Sequence, residues 1–277
     1  MNIYSFSDKR NWFLPLFLHK QMKITFTGTG TSQGVPIIGC KCDVCLSTDN
    51  RDQRLRSSIY IEHNGTQLMV DAGPDFRQQC LNLGIDRLDG ILITHGHKDH
   101  VAGIDDIRAL NFVTKKEVDI YCDELGESAI KHEIPYAFDD FKYPGVPEAN
   151  LIRIHSQQTF SVKNINITPI QVMHYKLPVL GFRIGNFTYI TDANAITEAE
   201  FEKIYGTEIL VLNALRHEKH ISHFNVEEAI EMGIKSGAKT VYFTHISHQL
   251  GLHSQVEATL PKGFYLAYDG LSIIAEI

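Results

Sequence analysis

Four strong metal ligands fall within six positions of this chain, in the segment Thr94-His95-Gly96-His97-Lys98-Asp99-His100, directly after the apolar run at residues 90–93. The whole chain holds only fourteen histidines, so chance rarely gathers three of them and an aspartate this closely. On extended backbone, alternate side chains point the same way, so His95 and His97 share a direction. Asp99 and His100 project elsewhere, beyond the Gly96 turn. The segment can therefore serve two ions, one through the imidazole pair and one through Asp99 with His100. Mixed imidazole and carboxylate ligands suit zinc, manganese or iron and leave open positions for water and substrate. Two ions roughly 3.5 Å apart can share a hydroxide and stabilise both the attacking and the leaving oxygen of a displacement. A structural zinc needs only four closed ligands, so a ligand-rich strand end of this kind points to catalysis.

The chain around the cluster is rich in short strands. Strand-like runs are expected at residues 23–27, 58–62, 67–71, 90–94, 118–122, 165–173, 179–184, 187–191, 208–213, 240–244, 264–268 and 271–275. The clearest helix is Val226–Ser236, which opens with an Asn225/Glu228 capping box and stops at Gly237. Weaker helical patterns cover 75–83, 102–112 and 197–205. Many strands with interspersed helices predict packed sheets that carry helices on their outer faces. One long loop, at 135–150, holds Tyr136, Phe138, Phe141 and Tyr143; it reads either as a lid over a pocket or as a connection between two halves pinned by its aromatics. Residues 1–21 are expected to be an extension ahead of a single domain at 22–277.

The pattern T-H-x-H-x-D-H after an apolar strand resembles the metal-binding motif of the metallo-β-lactamase superfamily, and Val70-Asp71-Ala72-Gly73-Pro74 is similar to the upstream strand-end aspartate segment of those proteins. The resemblance implies an α+β fold, a four-layer αββα sandwich with the metals at one edge of the two sheets. It also implies further ligands at later strand ends, where His174, Asp192 and His245 stand in the family's order. On that basis His95, His97 and His174 are assigned to a first metal, Asp99, His100 and His245 to a second, and Asp192 to the bridge between them.

A second cluster, Gly39-Cys40-Lys41-Cys42-Asp43-Val44-Cys45, offers three thiolates in one loop, a tetrahedral zinc site lacking one ligand. With five cysteines in all, this spacing suits metal binding in a reducing cytosol better than a disulfide framework. Cys80 and Cys122 lie in apolar surroundings and read as small core residues. His248, three positions after His245, can supply the missing ligand from the same turn. Together with Gly28-Thr29-Gly30-Thr31-Ser32-Gln33-Gly34-Val35-Pro36 and the closing T-H-x-x-H, this loop is similar to the PhnP-type phosphodiesterases over residue 22 to the C-terminus. That similarity implies a structural zinc on Cys40, Cys42, Cys45 and His248. Relatives that cleave phosphodiesters place a histidine shortly before a helix, and His223 fits that place ahead of the Asn225 cap. His217 and His220 read as solvated loop residues.

These features predict a phosphodiesterase acting on a small or cyclic substrate with two zinc or manganese ions, in which a bridging hydroxide attacks phosphorus and His223 and Asp99 serve the chemistry. A tRNA 3′-processing endoribonuclease shares the ligands, but those enzymes commonly insert an RNA-gripping arm between the positions of His174 and Asp192, where this chain has seventeen residues. The net charge of −7 also fits a small partner better than a large nucleic acid. Hydrolysis of a thioester or lactone shares the same nucleophile, and a non-catalytic metal scaffold ranks last because no ligand is missing. The longest apolar stretch near the N-terminus, residues 12–18, is broken by Pro15 and too short for a membrane span, so a cytoplasmic protein without a membrane partner is expected. A homodimer stays open.

Overall fold

The computed structural model describes residues 21–141 and 143–277; the expected extension, except Gln21, lies outside them. Two seven-stranded sheets face each other. The first runs in the order β14-β1-β2-β3-β4-β5-β6, with β1 (Gln21–Gly28), β2 (Ser58–His63), β3 (Thr66–Val70), β4 (Gly90–Leu92), β5 (Val118–Cys122), β6 (Ala149–Arg153) and β14 (Ser272–Glu276). The second runs β13-β12-β11-β10-β9-β8-β7, with β7 (Phe160–Val162), β8 (Ile165–His174), β9 (Leu177–Ile184), β10 (Phe187–Tyr189), β11 (Ile209–Asn213), β12 (Thr240–Thr244) and β13 (Phe264–Leu266). β1 begins at Gln21, paired with Glu276, one residue before the expected boundary.

Alternation explains the layers. In β1, Met22, Ile24 and Phe26 turn inward while Gln21 and Lys23 face water. The inward residues meet Leu180, Phe182, Phe187 and Tyr189 of the second sheet in one core. The outer face of the first sheet packs under α1 (Phe76–Leu83), α2 (Lys98–Val101), α3 (Ile107–Thr114) and α4 (Glu124–Glu133), and that of the second under α5 (Glu198–Phe201), α6 (Val226–Ser236) and α7 (His253–Glu257). The expected four-layer αββα sandwich is therefore what forms. No helix among the described residues is long and apolar enough to cross a membrane.

Strand direction positions the site. β3, β4, β5 and β6 are mutually parallel, as are β10, β11, β12 and β13. β8 is antiparallel to β9 and β9 to β10, so β8 runs with β10. The segments after β3, β4, β8, β10 and β12 all emerge at the edge where ligand sites of such sheets assemble. There the sheets are tied together by the Leu180 N–H, which donates to the Thr94 carbonyl at 2.9 Å.

Helix α6 matches its expected span, with the Asn225/Glu228 capping box present and Gly237 left-handed at its end. The helix expected at 102–112 is broken. Gly103 approaches the Gly73 carbonyl so closely that a Cβ would lie 1.9 Å from it, and a short 3-10 turn (Ile104–Asp106) precedes α3. The helix expected at 197–205 shortens to α5. The 135–150 loop joins α4 to β6 inside the first half rather than linking the halves. Tyr136 bonds Asp105 and the Glu148 N–H bonds Asn111, so its contacts lie along α3 and not over the histidine cluster.

Candidate metal centre

At three of the strand ends that converge on the cluster a non-glycine residue adopts left-handed backbone: Asp71 after β3 (φ 65°), Asp192 after β10 (φ 55°) and His245 after β12 (φ 55°). Such conformations are uncommon outside glycine and persist where the surroundings over-determine them. Here they turn three side chains off their strands into one buried space.

Asp99, His100, Asp192 and His245 converge with one ligand atom each. His100 Nε2 lies 3.2 Å from Asp99 Oδ2 and 3.3 Å from Asp192 Oδ2. His245 Nε2 lies 3.1 Å from Asp192 Oδ1 and 3.7 Å from Asp99 Oδ2. Four ligands at 2.0–2.2 Å from one tetrahedral ion are separated from each other by about 3.3–3.6 Å, close to these four separations of 3.1 to 3.7 Å. His100 Nε2 and His245 Nε2 are buried without a hydrogen-bond partner. Such atoms are costly to leave unpaired, and a shared cation meets both nitrogens and both carboxylates at once. The donor set fits a divalent metal.

His95 Nε2 stands 3.0 Å from His97 Nδ1, and the His174 ring packs 5.1 Å from that of His97 and 5.8 Å from that of His95. His174 also gathers tightly with Asp192 and His223, so Asp192 is common to both groups. The structure thus brings together all seven residues assigned to the two metals, and His223 with them. His97 is exposed and His174 half-buried, which leaves this side open to a ligand.

Electrostatics favour cations here. Burial, reinforced by His100, pushes His95 well below the usual imidazole range, and burial with His174 lowers His97; both stay neutral, the form that binds metal. Burial opposes a charge on His100, yet Asp71, Asp192 and Asp99 together raise it well above its ordinary value. Asp99 and Asp192 are likewise held low against burial by their histidine neighbours. A field that protonates a fully buried imidazole is one that a divalent cation can replace the proton in satisfying. Burial lowers His223 to about 4 despite its contact with Asp192.

Sequence reasoning marked the segment of Asp71 without giving that residue a role, and missed the other groups that hold the ligands. Asp71 is buried and accepts from His100 Nδ1 at 2.7 Å, from the Thr94 N–H at 2.8 Å and from Thr94 Oγ1 at 2.9 Å. The Ser222 carbonyl accepts from His174 Nδ1 at 2.9 Å. Each bond fixes which imidazole nitrogen faces the cluster. The signal for Asp71 was its place at a strand end before Gly73, whose Cβ would lie 1.8 Å from the Asp99 carbonyl. His217 is exposed beside Glu227, as a solvated residue should be. His220 is not: its Nδ1 lies 3.1 Å from His223 Nδ1.

The second cluster also closes. Cys40, Cys42 and Cys45 place their sulfurs 3.4, 3.3 and 3.6 Å from His248 Nδ1. Bonds of 2.3 Å to sulfur and about 2.05 Å to nitrogen imply a tetrahedral edge of about 3.6 Å. The Cys45 N–H and then His248 lower Cys42 to about 6, while burial raises Cys45 to about 11. The donors fit one zinc.

A beta-lactamase superfamily domain model matches residues 66–246. The crystal structure of a diphosphatase from the PhnP family superposes with a TM-score of 0.87 at 38% identity, covering 93% of this chain and 98% of that one. An octanoyltransferase from Porphyromonas gingivalis is 37% identical over 257 residues, 92% of this chain and 52% of that protein, so the chain spans about half the length of this relative. The metallo-beta-lactamase fold protein YhfI from Bacillus subtilis shares the fold at 18% identity, with a TM-score of 0.71 over 92% of this chain and 100% of that one.

Proposed function

As a member of the beta-lactamase superfamily and of its PhnP family, the chain is a metal-dependent hydrolase, and from that premise we propose that it cleaves a small or cyclic phosphodiester. The observation that carries the reading is His223, a buried imidazole whose Nε2 sits 3.0 Å from Asp192 Oδ1, the carboxylate common to both ligand groups.

His95, His97 and His174 would hold one zinc or manganese ion and Asp99, His100 and His245 a second, with Asp192 shared; when bound, the pair supplies an activated water and neutralises charge on the phosphoryl group. His223 is placed to donate a proton from Nε2 to the departing alkoxide. Burial disfavours its charged form, and the anion of a bound phosphodiester offsets that cost. Asp99, whose Oδ2 lies 3.2 Å from His100 Nε2, would also orient the attacking water. Cys40, Cys42, Cys45 and His248 would hold a separate structural zinc that pins the 40–45 loop beside the turn after β12.

A compact substrate is supported by the path from His174 to Asp192, which is taken up by β9, β10 and tight turns and leaves no room for an RNA-gripping arm. The PhnP-family neighbour is described as a diphosphatase, which favours including the related P–O–P linkage among the substrates. The test is a panel on zinc- or manganese-loaded protein: nucleoside 2′,3′-cyclic phosphates, ribose cyclic phosphate, a dinucleoside diphosphate, precursor tRNA and an acyl thioester. Turnover of the small phosphoryl substrates is expected. Turnover confined to the thioester or to precursor tRNA would overturn the reading.

A further inference from the structure

The loop from β11 to α6 holds a hydrogen-bond chain whose direction one atom fixes. The Ser222 backbone N–H reaches His220 Nδ1 at 3.4 Å. An N–H only donates, so His220 Nδ1 must accept and carries no proton. Ser222 Oγ lies 3.2 Å from that nitrogen and 3.0 Å from His223 Nδ1, and the two Nδ1 atoms are 3.1 Å apart. His223 Nδ1 therefore faces a nitrogen that can only accept and a hydroxyl oxygen that can accept from it. It is the donor of the pair. The other nitrogen, Nε2, is turned to the acceptor Asp192 Oδ1 at 3.0 Å, the contact at which the proton it transfers is held.

We infer that His220 and Ser222 are positioning residues that fix the tautomer and ring orientation of His223, so that Nε2 is its only proton-transferring atom. The inference rests on the phosphodiesterase reading above. In that reaction the water oxygen bonds to phosphorus and releases a proton to solvent, the P–O bond to the leaving group breaks, and the Nε2 proton passes to the departing oxygen. Nδ1–H is retained throughout by the His220 and Ser222 acceptors. With them removed, the ring can flip or change tautomer, and a share of His223 molecules present the wrong nitrogen.

Leaving-group dependence separates this role from a structural one. Bis(p-nitrophenyl) phosphate releases a phenolate that departs with little protonation, whereas uridine 2′,3′-cyclic phosphate releases an alkoxide that needs it. On zinc-loaded protein, His223→Ala is expected to lose at least tenfold more kcat on the cyclic than on the aryl substrate, a fraction of what general acid catalysis supplies. His220→Ala and Ser222→Ala should show the same selectivity at about tenfold on the cyclic substrate, with KM and zinc content unchanged. His220→Asn, whose side-chain oxygen can accept from His223 Nδ1, should recover most of the rate. Equal losses on both substrates, or loss of zinc, in the His220 and Ser222 variants would overturn the inference. Selectivity in His223→Ala without any in His220→Ala and Ser222→Ala would overturn it alone. Absence of selectivity in His223→Ala would remove the assigned role of His223 and the inference together.

Discussion

Replacing Asp71 with asparagine isolates one interaction that holds the cluster. The residue sits at φ 65°, a conformation asparagine tolerates as well as aspartate does, so the change adds no backbone strain. The amide can keep accepting from the Thr94 N–H through one oxygen, but its nitrogen takes the place of the oxygen 2.7 Å from His100 Nδ1 and sets donor against donor. A hydrogen bond to a charged group contributes about 1.5–3 kcal/mol, which equals about 10- to 150-fold in binding. Loss of the partner behind a ligating histidine typically costs about 10- to 100-fold in metal affinity. Both routes give the same range, so Asp71→Asn should weaken metal binding at the His100 side by about 10- to 100-fold. Competition with a chromogenic chelator measures this directly, and melting with and without metal checks that the fold survives. Affinity within threefold of the wild type would refute the role given to Asp71.

Gly73→Ala forces a Cβ to 1.8 Å from the Asp99 carbonyl; displacing that ligand should cut turnover by roughly 100-fold, read from activity and metal content together. Cys42→Ser should remove one zinc per chain and lower the melting temperature by about 5 °C, as loss of about 2 kcal/mol does in a domain of this size, while the second site keeps its metals. Burial raises Asp269 to about 6 from an ordinary 3.8. The folded state holds that proton more tightly than the unfolded chain, so its stabilising effect is complete below about 4 and lost as pH rises through 6, about 3 kcal/mol in all. Relative to the wild type, Asp269→Asn should gain stability across that window in denaturant titrations at pH 4 and 7; a pH-independent difference would contradict it.

The parts of this fold legible in the sequence are those whose signal is local. Period-two burial marks the first four residues of β1, and the Asn225/Glu228 box with Gly237 bounds α6 to the residue. Helix α4 escaped because only Gly126 and Ile130 of its ten residues are buried, which leaves almost no apolar stripe to detect. β6 has no fully buried residue, and β7 is three residues long. The break at Gly103 follows from a contact with Gly73 thirty positions away, which no window on the sequence contains. Ligand types in the two clusters could be read off, but what encloses them could not. That Asp71 stands behind His100 and His220 behind His223 becomes visible only once β3, β4 and the loop after β11 meet at one edge.

Anomalous diffraction from crystals of zinc-loaded protein tests the central claim most directly. Two peaks about 3.5 Å apart among the histidines and aspartates, with Asp192 between them, and a third between the cysteines and His248, is the expected map. A peak in the cysteine loop alone, with none beside Asp192, would contradict a two-metal hydrolase.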